Sequence, residues 1–195
     1  MKVETFTEYR EATEKTVEYP TERGVEYCTY GLAGETSETH EKVRSLDSEE
    51  DIDESTAKEF GDVLWYMTRL TVEADEMSIE DVVSRALEKV GTETTNTLRI
   101  SEFQDGIANN AETRDVRYHS DIMNTQPGHI QEKRKKEIRD GREFDMTDEL
   151  SEVLVHVTLS IEASGYKLEN VVQNNVDKLL DRKERDVIKG EGDDR

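Results

Sequence analysis

Between residues 56 and 75 the sequence carries a two-sided pattern that a helix reads as two separate faces. Phe60, Val63, Leu64, Met67, Leu70 and Ala74 recur at intervals of three, four and one, giving one apolar face. Glu59, Asp62, Tyr66 and Arg69 follow at spacings of 3, 4 and 3, giving a polar face beside it. No sustained two-residue alternation occurs elsewhere in the chain, so the fold class expected is all-α, without substantial sheet.

The flanking segments fit that expectation. Residues 3 to about 19 read as a first helix ended by Pro20, and about 25 to 45 as a second with Leu32, Thr36, Thr39, Val43 and Leu46 facing inward. The acid-rich run Asp47–Glu54 reads as a solvated loop, after which Ser55 or Thr56 caps the third helix. The choice matters, because a cap at Thr56 would draw the Glu59 carboxylate into a capping box, whereas a cap at Ser55 leaves it free. Ser78 caps a fourth helix reaching Val90, and Gly91 to Asn96 is a polar break.

Glu35 and Glu38 share one face of the second helix, as Glu59 and Asp62 share one face of the third. Four converging carboxylates repel one another unless a cation neutralises them, and an all-oxygen set without histidine suits a hard ion such as Mg²⁺ or Mn²⁺. Paired acids alone carry little weight in a chain with 37% charged residues, where a solvated face is the ordinary explanation. Their surroundings carry more.

Asp and Glu number 47 against 26 Lys and Arg, a net charge of −21, which argues against binding to nucleic acid polymers or an anionic membrane. The acids are spread along the chain rather than gathered in one tail. That distribution fits a halophilic protein whose self-repulsion is screened by concentrated salt. A single cysteine, Cys28, excludes an intrachain disulfide and fits a cytoplasmic location. It reads as a packing residue, and so does Trp65, for which a base pocket is the alternative. His40, His119, His129 and His156 show no metal-ligand spacing.

The second half echoes the first. Asp148-Glu-Leu-Ser-Glu-Val-Leu-Val-His-Val157 aligns with Lys58-Glu-Phe-Gly-Asp-Val-Leu-Trp-Tyr-Met67, and Leu168-Glu-Asn-Val-Val172 with Ile79-Glu-Asp-Val-Val83. Glu59 becomes Glu149, Asp62 becomes Glu152, Tyr66 becomes His156, and Arg69 becomes Leu159. Upstream of the second copy the Glu35/Glu38 pair is replaced by the basic stretch Pro127–Glu137, so a second complete metal cluster is not expected. Ala86 and Lys89 take the places of Asn175 and Lys178. Two units are expected, 1–95 and 96–195, packed as one body.

Tyr30-Gly-Leu-Ala-Gly-Glu-Thr-Ser-Glu38 and Glu59-Phe-Gly-Asp-Val-Leu-Trp-Tyr66 resemble the signature of the MazG-like nucleoside triphosphate pyrophosphohydrolases. Asn175-x-x-Lys178-Leu179, Arg182, Gly190-Glu-Gly-Asp193 and Arg195 are similar to the end of that family's domain. The resemblance implies a helical bundle of two degenerate repeats, a dimer fused into one polypeptide, which leaves room for a further homo-oligomer. It implies an enzyme that splits nucleoside triphosphates into monophosphate and pyrophosphate, with Mg²⁺ (or Mn²⁺) on Glu35, Glu38, Glu59 and Asp62. Lys42, Asn175, Lys178 and Arg182 would then contact the nucleotide, and Gly31 and Gly34 would be close-packing points beside the metal helix. A phosphoribosyl-ATP pyrophosphohydrolase and a catalytically inactive helical interaction protein are the alternative readings.

Overall fold

A computed structural model describes residues 2–48, 52–74, 77–92, 99–111, 115–142 and 144–187. The expected tail motif from Gly190 to Arg195, and parts of the loops at 47–54 and 91–96, lie outside these residues.

Among the described residues eight α-helices follow one another: α1 (Phe6–Glu14), α2 (Gly24–Ser45), α3 (Glu54–Glu73), α4 (Ile79–Lys89), α5 (Ile100–Asn110), α6 (Val116–Asp140), α7 (Thr147–Ala163) and α8 (Leu168–Glu184). Among the described residues there is no strand, only an isolated antiparallel bridge between Thr5 and Arg99 at the starts of α1 and α5. No described helix is long and apolar enough to cross a membrane. The all-α expectation holds.

Three boundaries move, the first being the end of α1, which stops at Glu14 with Lys15 as its cap rather than running on to Pro20. α1 starts at Phe6 because Thr5 and Glu8 form a reciprocal capping box, which fixes the first turn three residues later than the apolar pattern suggested. α3 is capped neither by Ser55 nor by Thr56 but by Asp53, whose carboxylate accepts from the Thr56 N–H at 2.9 Å. With the cap so far upstream, Glu59 lies beyond the first turn and its carboxylate is free of capping duty.

α3 and α7 form the centre. In α3 the expected face from Phe60 to Leu70 is fully buried, and α7 is buried all round from Val153 to Ile161, as an inner helix must be. α2 packs on α3 and α6 on α7, α2 and α6 also pack on each other, and the two ends cross over: α8 lies on α3, and α4 on α7. Trp65 is buried and donates from Nε1 to Thr16 Oγ1 at 2.9 Å, just beyond the end of α1, so it is a packing residue. Cys28 is also buried, and burial pushes its thiol up to about 11.

Candidate metal centre

α2 and α3 run side by side, and their inner flanks bring Glu35, Glu38 and Glu59 together, with one carboxylate oxygen of each within 4.8 Å of the others. Glu59 is buried, Glu35 half-buried and Glu38 exposed, so the cluster opens from the helix interface toward solvent. Burial pushes the Glu35 carboxyl up to about 8, and the charges of Asp62, Glu38 and Glu59 push the same way, against the opposing charge of Lys178. Such a carboxyl is short of positive charge.

Asp62 stands beside this trio rather than inside it. Its Oδ1 accepts from Asn175 Nδ2 at 2.8 Å and from Lys178 Nζ at 2.7 Å, and Oδ2 accepts from Lys178 at 2.6 Å. Both partners come from α8. They reach Asp62 because Gly61 has no side chain: a Cβ there would sit 3.0 Å from the Asn175 Cβ. Lys42, one turn beyond Glu38, forms an ion pair with Glu59. Arg182, one turn past Lys178, is buried, and with Asn175 and Lys178 it lines a groove of about 420 Å³ between α8 and the start of α3, which contributes Glu54, Ala57 and Lys58. None of the four acids lines that groove.

The two glycines of α2 differ. At Gly31 a Cβ would lie 2.0 Å from the Tyr66 ring, so the ring packs directly on the helix one turn before Glu35. Gly34 has nothing within 4 Å and is not a packing point. Arg69, expected on the same face as Glu59 and Asp62, is buried and belongs to a separate network with the exposed Glu14, with Glu73 and with the Tyr19 hydroxyl. Lys89 is also remote from the acids of α2 and reaches Glu152 at 2.8 Å and Asp148 at 3.1 Å.

The arrangement around α7 was harder to foresee. Lys133 of α6 pairs with Glu149 at 2.6 Å, as Lys42 pairs with Glu59. Lys89 of α4 pairs with Glu152, as Lys178 of α8 pairs with Asp62. Stepping back from Lys133 by the intervals that separate Lys42 from Glu38 and Glu35 reaches His129 and Gln126, and a further step corresponding to Cys28 reaches His119. His119 and His156, in the places of Cys28 and Tyr66, are both buried with their Nδ1 atoms 2.9 Å apart, and His156 Nε2 lies 3.3 Å from Glu152. The only hint of this pairing in the sequence was the position of His156 in the register of Tyr66.

The hard, oxygen-only donor set of Glu35, Glu38 and Glu59, with Asp62 alongside, is chemically suited to a divalent cation of the Mg²⁺ type. Residues 23–96, comprising α2 to α4 and all four acids, match the family profile described as the MazG nucleotide pyrophosphohydrolase domain. No curated protein and no solved structure matches the chain. Residues 23–96 are thus similar to a MazG nucleotide pyrophosphohydrolase domain, carried within an all-helical fold.

Proposed function

We propose that the chain is a Mg²⁺-dependent pyrophosphohydrolase, with Mn²⁺ able to substitute, that cleaves nucleoside triphosphates to monophosphate and pyrophosphate and so removes unwanted nucleotides or limits their pool. The observation that carries this reading is the convergence of Glu35, Glu38 and Glu59 on one point, with Asp62 alongside and Lys178 brought to it from α8. Four carboxylates face two ammonium groups, Lys42 and Lys178, a deficit of two charges that one divalent ion would fill. Such an ion, when bound, offsets the charge of the triphosphate and lowers the pKa of the attacking water.

The reaction adds water across the α–β anhydride: the water oxygen forms a new bond to the α-phosphorus, the bridging P–O bond breaks and pyrophosphate leaves with one of the water's protons, and the other proton is released to solvent. In this reading Lys178 and Lys42 exchange carboxylate for phosphate oxygens when substrate arrives, Arg182 supplies further positive charge, and Asn175 keeps Asp62 oriented. The halves 1–95 and 96–195 are read as degenerate repeats folded as one unit. The matching helix order, the crossed packing of α8 on α3 and α4 on α7, and the paired lysine–carboxylate contacts support this. A net charge of −21 disfavours nucleic acid polymers as partners, and the buried Cys28 suits a reducing cytoplasm.

The test is pyrophosphate release from a panel of canonical, deoxy and modified triphosphates, with Mg²⁺, with Mn²⁺ and with chelator, in molar salt. Release that requires the metal is expected, and Lys178→Ala is expected to lower kcat/KM about 10- to 100-fold while Mn²⁺ still binds. Absence of metal-dependent release across the panel would leave an inactive interaction protein as the better reading.

A further inference from the structure

Asp62 is held by Asn175, and Asn175 is held in turn by a residue that lies outside the matched segment. Tyr9 of α1 is fully buried, and its hydroxyl donates to Asn175 Oδ1 at 3.1 Å, with the Gly61 carbonyl 3.5 Å away. Asn175 is itself 3% exposed. Its amide therefore lies between one donor, the Tyr9 hydroxyl, and one acceptor, the Asp62 carboxylate.

This placement settles which way the amide faces. An asparagine has an oxygen end and an NH₂ end of nearly the same shape, so packing alone does not distinguish the two orientations. With the oxygen toward Tyr9, the NH₂ group donates to Asp62. Turned over, it would set a carbonyl against a carboxylate and leave a buried polar group without its partner. Burial, together with the Asp62 charge, raises the Tyr9 phenol well above its ordinary range, so it remains a protonated donor. A phenylalanine would fill the same space without that bond.

We propose that Tyr9 is a positioning residue for the metal centre, acting through Asn175 to fix the rotamer of the Asp62 carboxylate. The proposal rests on the reading of Asp62 as part of a metal site. It joins three helices that are far apart in sequence, since Asn175 lies 166 positions from Tyr9 and 113 from Asp62.

The experiment compares wild type, Tyr9→Phe, Asn175→Ala and the double variant by Mn²⁺ titration followed by electron paramagnetic resonance, with steady-state kinetics alongside. Tyr9→Phe should weaken Mn²⁺ binding about tenfold, at the lower end for partners beyond the metal ligands. It should lower kcat by a similar factor and leave KM within about twofold, because phosphate contacts are untouched. In the Asn175→Ala background the same substitution should have no further effect, the non-additivity expected when one residue acts through another. A merely structural role would instead lower the melting temperature and leave Mn²⁺ affinity unchanged in the folded fraction. Equal effects of Tyr9→Phe in both backgrounds, or an unaltered Mn²⁺ affinity, would overturn the proposal while leaving the metal reading intact. A wild-type protein that binds no Mn²⁺ would overturn both.

Discussion

Around α3 and around α7 the chain builds the same kind of contact with a different charge balance. Beside α3, Glu35, Glu38, Glu59 and Asp62 meet Lys42 and Lys178. Beside α7, Asp148, Glu149 and Glu152 meet Arg85, Lys89 and Lys133, with His156 against Glu152 and with Gln126 and His129 in the register of the two α2 acids. The second region balances itself. The first does not, and the difference lies in two residues of α6 rather than in the central helices, where the acids persist. A helix pair can thus keep its ion-pair scaffold while losing the excess negative charge that would draw in a cation.

The largest expected effect separates the two regions directly. Glu38→Ala should abolish metal-dependent pyrophosphate release, by at least about a hundredfold, because one ligand of the cluster is gone. Glu152→Ala should leave turnover within about twofold and cost about 1 kcal/mol of stability, read by urea unfolding. If both variants lose activity alike, the asymmetry between the regions is wrong.

A smaller effect should follow from restoring what α6 lacks. Gln126→Glu combined with His129→Glu adds two acids beside Glu149 and Glu152, and a second equivalent of Mn²⁺ should then appear in the titration at millimolar concentration. The metal-free double variant should be less stable than wild type, since the new charges repel. An unchanged stoichiometry would show that the lysines of the second region cannot be displaced.

The acidity of Glu35 gives a finer test. Its folded value, about 8, stands above the ordinary 4.5, so the folded protein holds a proton that the unfolded chain releases between these values. This group therefore makes no adverse contribution below about pH 4.5, and the metal-free protein loses stability as pH rises from there through about 8. Melting temperatures in chelator should reflect this fall, and saturating Mg²⁺ should reduce it. Mn²⁺ affinity should climb over the same window, because binding displaces the proton. The smallest expected effect is global: the melting temperature should rise by a few degrees between low and molar KCl, as salt screens a net charge of −21. A flat or falling curve would remove the halophilic reading and leave the comparison of the two regions untouched.

How much of this was legible varied with the physics involved. The α3 pattern was plain because Phe60, Val63, Leu64, Met67 and Leu70 fill one face while Glu59 and Asp62 stay off it. α6 was opaque by the same method: Pro127 sits inside the helix, Gly128 follows it, and apolar residues are sparse, so its 25-residue length rests on packing against α2 and α7 rather than on local preference. Helix starts depended on one side chain each, Asp53 or the Thr5–Glu8 pair, which local spacing ranks poorly against neighbouring serines and threonines. The acids of the centre were readable as i, i+3 pairs. Tyr9 was not, because nothing in its own neighbourhood signals a partner 166 positions away.

That long reach has a consequence for how the protein comes into being. Lys178 meets Asp62 across 116 positions, and α8 is the last described helix. During synthesis α2 and α3 leave the ribosome before α8, at a rate of roughly 5–20 residues per second, so Glu35, Glu38, Glu59 and Asp62 emerge several seconds before Lys178 and Asn175 exist. For that interval the nascent chain carries four carboxylates with one lysine to oppose them. Ions in the surrounding fluid have the first opportunity to hold α2 and α3 together, and α8 closes over a hairpin whose acids have already met their counterions.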